Sequence, residues 1–323
     1  MDRVRHREAL LTRDEPISSS FRYRFAAMAS VHEMHVAGTD RDTADRAARA
    51  AIADVKRIEA KYSRYRDDSV TTAINRAAGA RAVAIDAETA SLLHYADRCH
   101  ALADGRFDIT SGVLRRAWDF KRRPPRLPSA GEIAAARDLI GWPRVDWSDE
   151  RVFLPHAGME LDFGGIGKEY AADRAAAIVR DAGIAHALVN LGGDVRAIGP
   201  RADGSPWRVG IRDPRNAEGI VATMLVDDGA VATSGDYERY IEVDGRRYCH
   251  LLDPRTGMPV DHWRSASVAA PLAILAGSYA TIAMLQGECA GRFLAEQKVD
   301  ALLVKADGSL CRIGHAASEQ LVR

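Results

Sequence analysis

Cysteine is scarce in this chain and scattered: Cys99, Cys249, Cys289 and Cys311 form no CxxC pair. That excludes a disulfide framework and a zinc knuckle as organising devices, and fits reduced thiols in a cytoplasmic setting. Charge of one sign is lacking too. The 45 Lys and Arg balance the 45 Asp and Glu, so no global field draws in nucleic acid or an anionic membrane. No apolar run approaches the roughly 20 residues of a membrane span. The opening MDRVRHREALLTRDEPISSS holds no core for a signal peptide, and a cytoplasmic protein is expected. No segment repeats. What remains is ordinary globular composition, 47% hydrophobic over 323 residues, with ample core for one large or two modest domains.

The chain is organised around Met159 to Asp173, MELDFGGIGKEYAAD. A short apolar run reaches Asp162, a glycine turn follows (Gly164, Gly165, Gly167), and Lys168 opens a stretch with helical apolar spacing. Free N–H groups and the positive end of a helix dipole would point at whatever sits there, which makes an anion cradle. A Walker loop is excluded, because GxxxxGK[ST] needs Gly at Asp162 and Ser or Thr at Glu169. Taken alone, the same residues also describe a tight turn carrying a surface lysine.

Residues 1–20 read as a loose arm, and 21–323 as a single domain. Phe21 to Val36 has strand composition and includes Met28-Ala29-Ser30. His32 and His35 resemble a zinc-protease pair, but HExxH needs its histidines four apart on a helix. Three apart in a strand, they fall on opposite faces. Helices are predicted over Thr43–Tyr62, about Glu88–Ala103, from Lys168 to about Ala182, and over Leu272–Leu285, with a Ser129/Glu132 capping box opening another. The loop Ser63 to Asn75 carries Tyr65, an aromatic that either covers a flat ring ligand or packs on its own domain. HALVNLGGDVRAIG reads as a buried strand whose glycines mark a bulge or a close ligand approach. Asp244-Gly245 between alternating runs signals a hairpin. That hairpin ends in His250 and then Asp253-Pro254-Arg255-Thr256-Gly257, the densest gathering of acid–base and anion-binding groups in the chain. Thr281, inside the last long helix, is expected to bond the carbonyl one turn back unless something else recruits it.

Eight motifs in order carry a resemblance: MAS, SRYRDDS, GRFDIT, DFGGIGKEYAAD, LVNLGGDVRAIG, TSGDYERY, HLLDPRTGMP and AGSYATIAM. From about Phe21 to Leu310 the chain resembles the ApbE family of FAD:protein FMN transferases. The resemblance implies an α+β, T-fold-like domain of antiparallel sheets packed with helices, with an FAD cleft between them. It implies Mg²⁺-dependent splitting of FAD at its pyrophosphate, transfer of FMN to a Thr or Ser hydroxyl of an acceptor protein, and release of AMP. By position, Met28 and Tyr65 match contacts to the flavin end, and Arg106, Phe107 and Asp108 the next binding segment. Asp162 and Lys168 match residues holding the adenosine and phosphate part, and Leu252 a residue lining the pocket. His250 takes the place of the general base, with Asp253 beside it. The backbone of Gly165 and the hydroxyl of Thr281 match the metal positions.

The chemistry asks for these types. Two phosphate charges resist an incoming alkoxide, so a cation and a lysine must neutralise them, and an alcohol needs a base in reach. Hard Mg²⁺ prefers oxygen ligands. Two residues depart from the family pattern. Its helix motif reads A-D-x-x-A-T, whereas Gly277 stands here in the place of that metal-binding Asp, and Glu169 stands where many members have Gly. The pair is read as the mark of a subgroup, with Ser278, Glu169, Asp236 or water as the replacement ligand. On this reading Gly277→Asp should tighten Mg²⁺ and Thr281→Ala should loosen it. An FAD-binding protein without transfer chemistry, and an FAD pyrophosphatase giving FMN and AMP, are the alternatives.

Overall fold

The computed structural model describes residues 20–314 and 321–322. The expected N-terminal arm lies outside the described residues apart from Ser20, which already pairs with Ala37 in the first strand pair. Eight strands form one sheet whose order in space is their order in the chain. They are β1 (Ser20–Ala27), β2 (Ser30–Ala37), β3 (His186–Leu191), β4 (Asp194–Ile198), β5 (Gly229–Gly235), β6 (Trp263–Ala270), β7 (Asp300–Lys305) and β8 (Leu310–Ile313). Every neighbouring pair is antiparallel. The helices are insertions into this meander, between β2 and β3 and between β6 and β7.

Side-chain alternation explains how the sheet is buried. Tyr23, Phe25 and Ala27 of β1 face inward with His32, Met34 and Val36 of β2. Arg22, Glu33 and His35 meet on the other face, where the Glu33 carboxylate contacts both Arg22 and His35. The two histidines therefore point apart, as their spacing demands. Two of the expected single strands are hairpins. Phe21 to Val36 folds back at Met28-Ala29, and HALVNLGGDVRAIG folds back at Gly192-Gly193. The first turn has no Asn-Gly or Asp-Gly, so nothing in the sequence signalled it.

Helix Arg41–Tyr62 is capped by Asp40, whose side chain accepts from Thr43 N at 2.9 Å. It buries Ala44, Ala47, Ala48 and Ala51 against the helix Gly167–Asp181, which answers with Ala171, Ala172, Ala175 and Ala176. Small side chains on both faces let the two helices lie close. The predicted boundaries of the other long helices hold within a residue or so, at Ala87–Leu102 and Ala273–Gln286. The Ser129/Glu132 capping box is present at Ala130–Arg137, and Asp244-Gly245 turns the hairpin Tyr240–Cys249 with both residues at positive φ. On the far face, strands Trp207–Asp213 and Asn216–Val226 pack Ile211, Ala222 and Met224 onto Val231 and Leu302 of the main sheet.

One contact sets the register of the two helices nearest the site. Asp173 reaches from helix Gly167–Asp181 to the start of helix Ala273–Gln286, its carboxylate accepting from Ala273 N at 2.8 Å and Ile274 N at 2.9 Å. Two unsatisfied donors and the helix dipole are met by one charge. Buried Arg196 holds the same carboxylate at 3.4 Å. The helices run antiparallel, so a four-residue step back from Asp173 faces a four-residue step on from Ala273. Glu169 thereby meets Gly277, and the Phe163–Gly165 turn packs on the same helix. Asp173→Ala is expected to cost about 2–3 kcal/mol in urea unfolding, as two charge-assisted bonds and a partner of Arg196 are lost. A loss below about 0.5 kcal/mol, the level of an indifferent surface change, would show that the cap does not hold these helices.

Candidate active site at the turn end of the sheet

The hairpin turns of β1–β2 and β3–β4 lie side by side at one end of the sheet. A Cβ on Gly192 would stand 3.3 Å from Ser30 Oγ and 3.7 Å from Lys168 Nζ. Met28 and Ala29 sit at φ 48° and 60°, a left-handed conformation that non-glycine residues seldom adopt. The Met28 N–H is held there by Glu59 Oε1 at 2.6 Å. Strain of this kind gathers at functional sites, where surrounding structure keeps it in place.

The glycine bend closes over these turns. Asp162 caps the short turn Phe163–Gly165, accepting from Gly164 N at 2.9 Å, and forms a close ion pair with Arg64. That pair draws in the segment after helix Arg41–Tyr62. The loop expected over Ser63 to Asn75 ends at Ser69, whose side chain caps a helix Val70–Arg76. Tyr65 before it is 72% exposed, with Arg64 and Lys121 at 4.8 and 5.7 Å from its ring. Of the two readings of Tyr65, packing into its own domain is the one this exposure removes. Phe107 lies beneath Gly165, 3.4 Å from where a Cβ would be. Asp108 is buried, and its oxygens accept from Thr110 N, Thr110 Oγ1 and Trp142 N at 2.7, 2.6 and 3.0 Å. Its bonds shape the loop. Arg106 stands 3.8 Å from Asp104, and Arg255 of the hairpin tail bonds Asp104 Oδ2 at 2.6 Å, tying the two segments together.

Lys168 Nζ forms an ion pair with Asp194 Oδ2 at 2.8 Å, just after the Gly192-Gly193 turn. Burial works against the lysine's charge, but Asp194 and Glu169 outweigh it and raise its pKa. Burial also raises the pKa of Asp194, against the pull of Lys168. His250 approaches from the hairpin tail with its Nδ1 3.2 Å from the Arg239 carbonyl. A carbonyl only accepts, so Nδ1 carries the hydrogen and Nε2 the free lone pair. Burial lowers the His250 pKa to about 4, and the charges of Arg239 and Lys168 push the same way.

Asp253 forms its own turn, Oδ1 accepting from Arg255 N at 2.8 Å, while Trp118 Nε1 donates to Gly257 O at 2.8 Å and anchors the segment. Leu252 pairs with Pro259 and packs on the Trp118 cluster. Thr281 is recruited after all. Its hydroxyl lies 2.8 Å from Ser234 Oγ at the end of β5.

Glu169 occupies the space above Gly277: a Cβ there would stand 2.5 Å from Glu169 Cγ and 2.9 Å from Oε1. Gly277→Asp would therefore bring the new side chain against Glu169 and set two carboxylates together unless Glu169 moves aside. Burial raises the Glu169 pKa well above the ordinary carboxylate value, the charge of Asp194 adds to this, and Lys168 opposes it. Its Oε2 is buried with no hydrogen-bond partner. Ser278 turns toward Tyr95 and Cys99, and Asp236 is taken by Arg215 at 2.8 and 2.6 Å. Among the described residues no group of three His, Cys, Asp or Glu is placed to hold a metal, so a cation here would need mixed oxygen donors. The unsatisfied Glu169 oxygen fits that donor type.

Asp194, Ser234, Arg64 and Glu59 contact the candidate residues and are not among those expected from the sequence. Asp194 follows the paired glycines and Arg64 adjoins Tyr65, so proximity to a motif was the available signal; Ser234 and Glu59 had none.

An antiparallel sheet with helices inserted between its strands is a fold this chain shares with solved flavin transferases. The ApbE protein of Thermotoga maritima superposes with a TM-score of 0.84 at 34% identity, over 91% of this chain and 97% of that one. The flavin transferase ApbE of Vibrio cholerae gives 0.80 at 25% identity, over 93% and 98%. The ApbE family model matches residues 27–306, and the chain belongs to the ApbE family. A FAD:protein FMN transferase of Klebsiella pneumoniae is 35% identical over 211 residues, 64% of this chain and 65% of that relative. One of Salmonella typhimurium is 34% identical over 70% of this chain and 67% of its own length.

The raised Glu169 pKa has a signed consequence. The folded state keeps a proton that the unfolded chain gives up, so stability from this group falls as pH rises past the ordinary carboxylate range. In a chelator, wild type should lose stability relative to Glu169→Gln over that window, at up to ~1.4 kcal/mol per pH unit. Urea unfolding at stepped pH measures it, and parallel curves for the two proteins would refute the assignment.

Proposed function

We propose that this chain is an FAD:protein FMN transferase acting through the cleft at the turn end of the sheet. The observation that carries the reading is the approach of distant segments to one another: Arg255 of the His250 hairpin tail bonds Asp104 beside Arg106, Phe107 packs under Gly165 of the Lys168 bend, and the Lys168 charge bears on His250. Residues 21–323 act as one unit, in the cytoplasm.

In this mechanism the acceptor's Thr or Ser oxygen attacks the FMN phosphorus of FAD. The bond from that phosphorus to the bridging oxygen breaks, and AMP leaves with the bridging oxygen. The hydroxyl proton passes to His250 Nε2, whose lone pair is free because Nδ1 faces the Arg239 carbonyl. Lys168, kept charged by Asp194, neutralises the departing phosphate. Asp162 and Arg106 hold the adenosine and phosphate side, with Phe107 and Asp108 shaping that wall. Met28, Tyr65 and Leu252 receive the flavin, with Tyr65 free to cover the ring, and Asp253 holds the turn that presents His250. Mg²⁺, held by Gly165 and Thr281, would supply positive charge against the diphosphate.

Incubation with FAD, Mg²⁺ and an acceptor protein presenting the threonine motif tests the reading. Flavin fluorescence on the acceptor, with AMP released, supports it. Free FMN and AMP without labelled acceptor would make the chain a pyrophosphatase, and intact FAD would leave a binding protein.

His250→Ala should cut transfer by about 10²-fold or more while sparing FAD binding. The low His250 pKa keeps the imidazole neutral until pH falls toward about 4 in the free protein. The diphosphate's negative charge should raise it once FAD is bound. The acid limb of kcat/KM is therefore expected below the ordinary histidine range, and that of kcat at a higher pH than that of kcat/KM. Coincident limbs would remove His250 from the base's role.

A further inference from the structure

We infer that Glu169 supplies the carboxylate that position 277 lacks, so that the cation draws its charged oxygen from helix Gly167–Asp181 in place of helix Ala273–Gln286. The inference rests on the proposed cation position between Gly165 and Thr281. Its footing is geometric. The space a side chain at 277 would enter already holds Glu169, whose Cγ lies 2.5 Å, Cδ 3.0 Å and Oε1 2.9 Å from an ideal Cβ on Gly277. A glutamate is one methylene longer than an aspartate, and that extra reach is what the opposite side of a helix–helix gap requires. The Asp173 bonds to Ala273 and Ile274 fix the register that puts Glu169 across from residue 277. Thr281 lies one turn beyond Gly277 on the same face, and Gly165 lies four residues before Glu169.

Glu169 Oε2 is buried and has no hydrogen-bond partner, a costly state for a group without some further ligand. Of the other oxygen donors considered, Asp236 is taken by Arg215, and Ser278, whose Oγ is also buried without a hydrogen-bond partner, brings no charge to offset that of a cation. A glutamate at 169 and a glycine at 277 are thus two halves of one exchange. Each alone makes poor physical sense, since glycine at both positions leaves a hole without charge, and an acid at both leaves a clash.

Direct binding of Mn²⁺ to the full chain, read from the electron paramagnetic resonance of free Mn²⁺, separates the possibilities without reference to turnover. Wild type should take up one Mn²⁺. Glu169→Gln should weaken it roughly 10- to 100-fold, the range seen when groups supporting a metal are removed. Thr281→Ala should weaken it as well. The double exchange Glu169→Gly with Gly277→Asp should recover most of the affinity lost in Glu169→Gln, an outcome that a purely structural Glu169 would not produce. Thermal melting of each metal-free variant accompanies the titration, and if Glu169→Gln does not fold, Glu169→Gly replaces it as the variant whose lost affinity the double exchange must recover. Unchanged Mn²⁺ affinity in Glu169→Gln alongside weakened binding in Thr281→Ala would overturn the role of Glu169 and leave the site in place. Unchanged affinity in both variants, or no uptake by wild type, would overturn the cation position and the inference with it.

Discussion

Asp173 joins two helices that are a hundred residues apart in the chain, and the cleft depends on that joint. One carboxylate satisfies the first donors of helix Ala273–Gln286 and rests against buried Arg196. The register it fixes is a matter of single turns, about 5.4 Å each, so a slip by one turn would put Glu169 against a different residue. Neither helix end has this order by itself. Helix Ala273–Gln286 opens at Leu272, which offers no capping side chain, and the carboxylate from its neighbour takes that role.

Around the joint, buried charge is balanced in a small volume. Lys168, Asp194 and Glu169 are each disfavoured as charges by burial; Lys168 and Asp194 support each other, while Asp194 works against the Glu169 charge. An arrangement of this sort adds little to stability, because desolvation offsets most of the attraction. Its effect is placement: a lysine kept charged and aimed at the turn end of the sheet, a histidine kept neutral with its lone pair outward, and a carboxylate oxygen without a partner. A diphosphate with a divalent cation complements that pattern of charge.

Much of the architecture could be read directly. Helix spans followed from apolar spacing in Ile52, Val55, Ile58 and Tyr62, and the hairpin from Asp244-Gly245, because those signals act over a few residues. The Met28-Ala29 turn was hidden since its backbone is imposed by the partner strand and by Glu59, not by its own residue types. Tyr65 carried two readings until its exposure could be seen. Thr281 looked like a self-bonded helix threonine until Ser234, 47 residues away, proved to be its partner.

The sequence by itself determined the family, the helix spans and the chemical inventory, since each of these resides in local order and in residue identity. It also showed that residue 277 lacks an acid and that residue 169 has one. Only the tertiary structure decided that these two facts concern the same few cubic ångströms. Facing positions on packed helices are set by a register that no local pattern encodes, and here that register is written in one side chain reaching across to another helix's first turn.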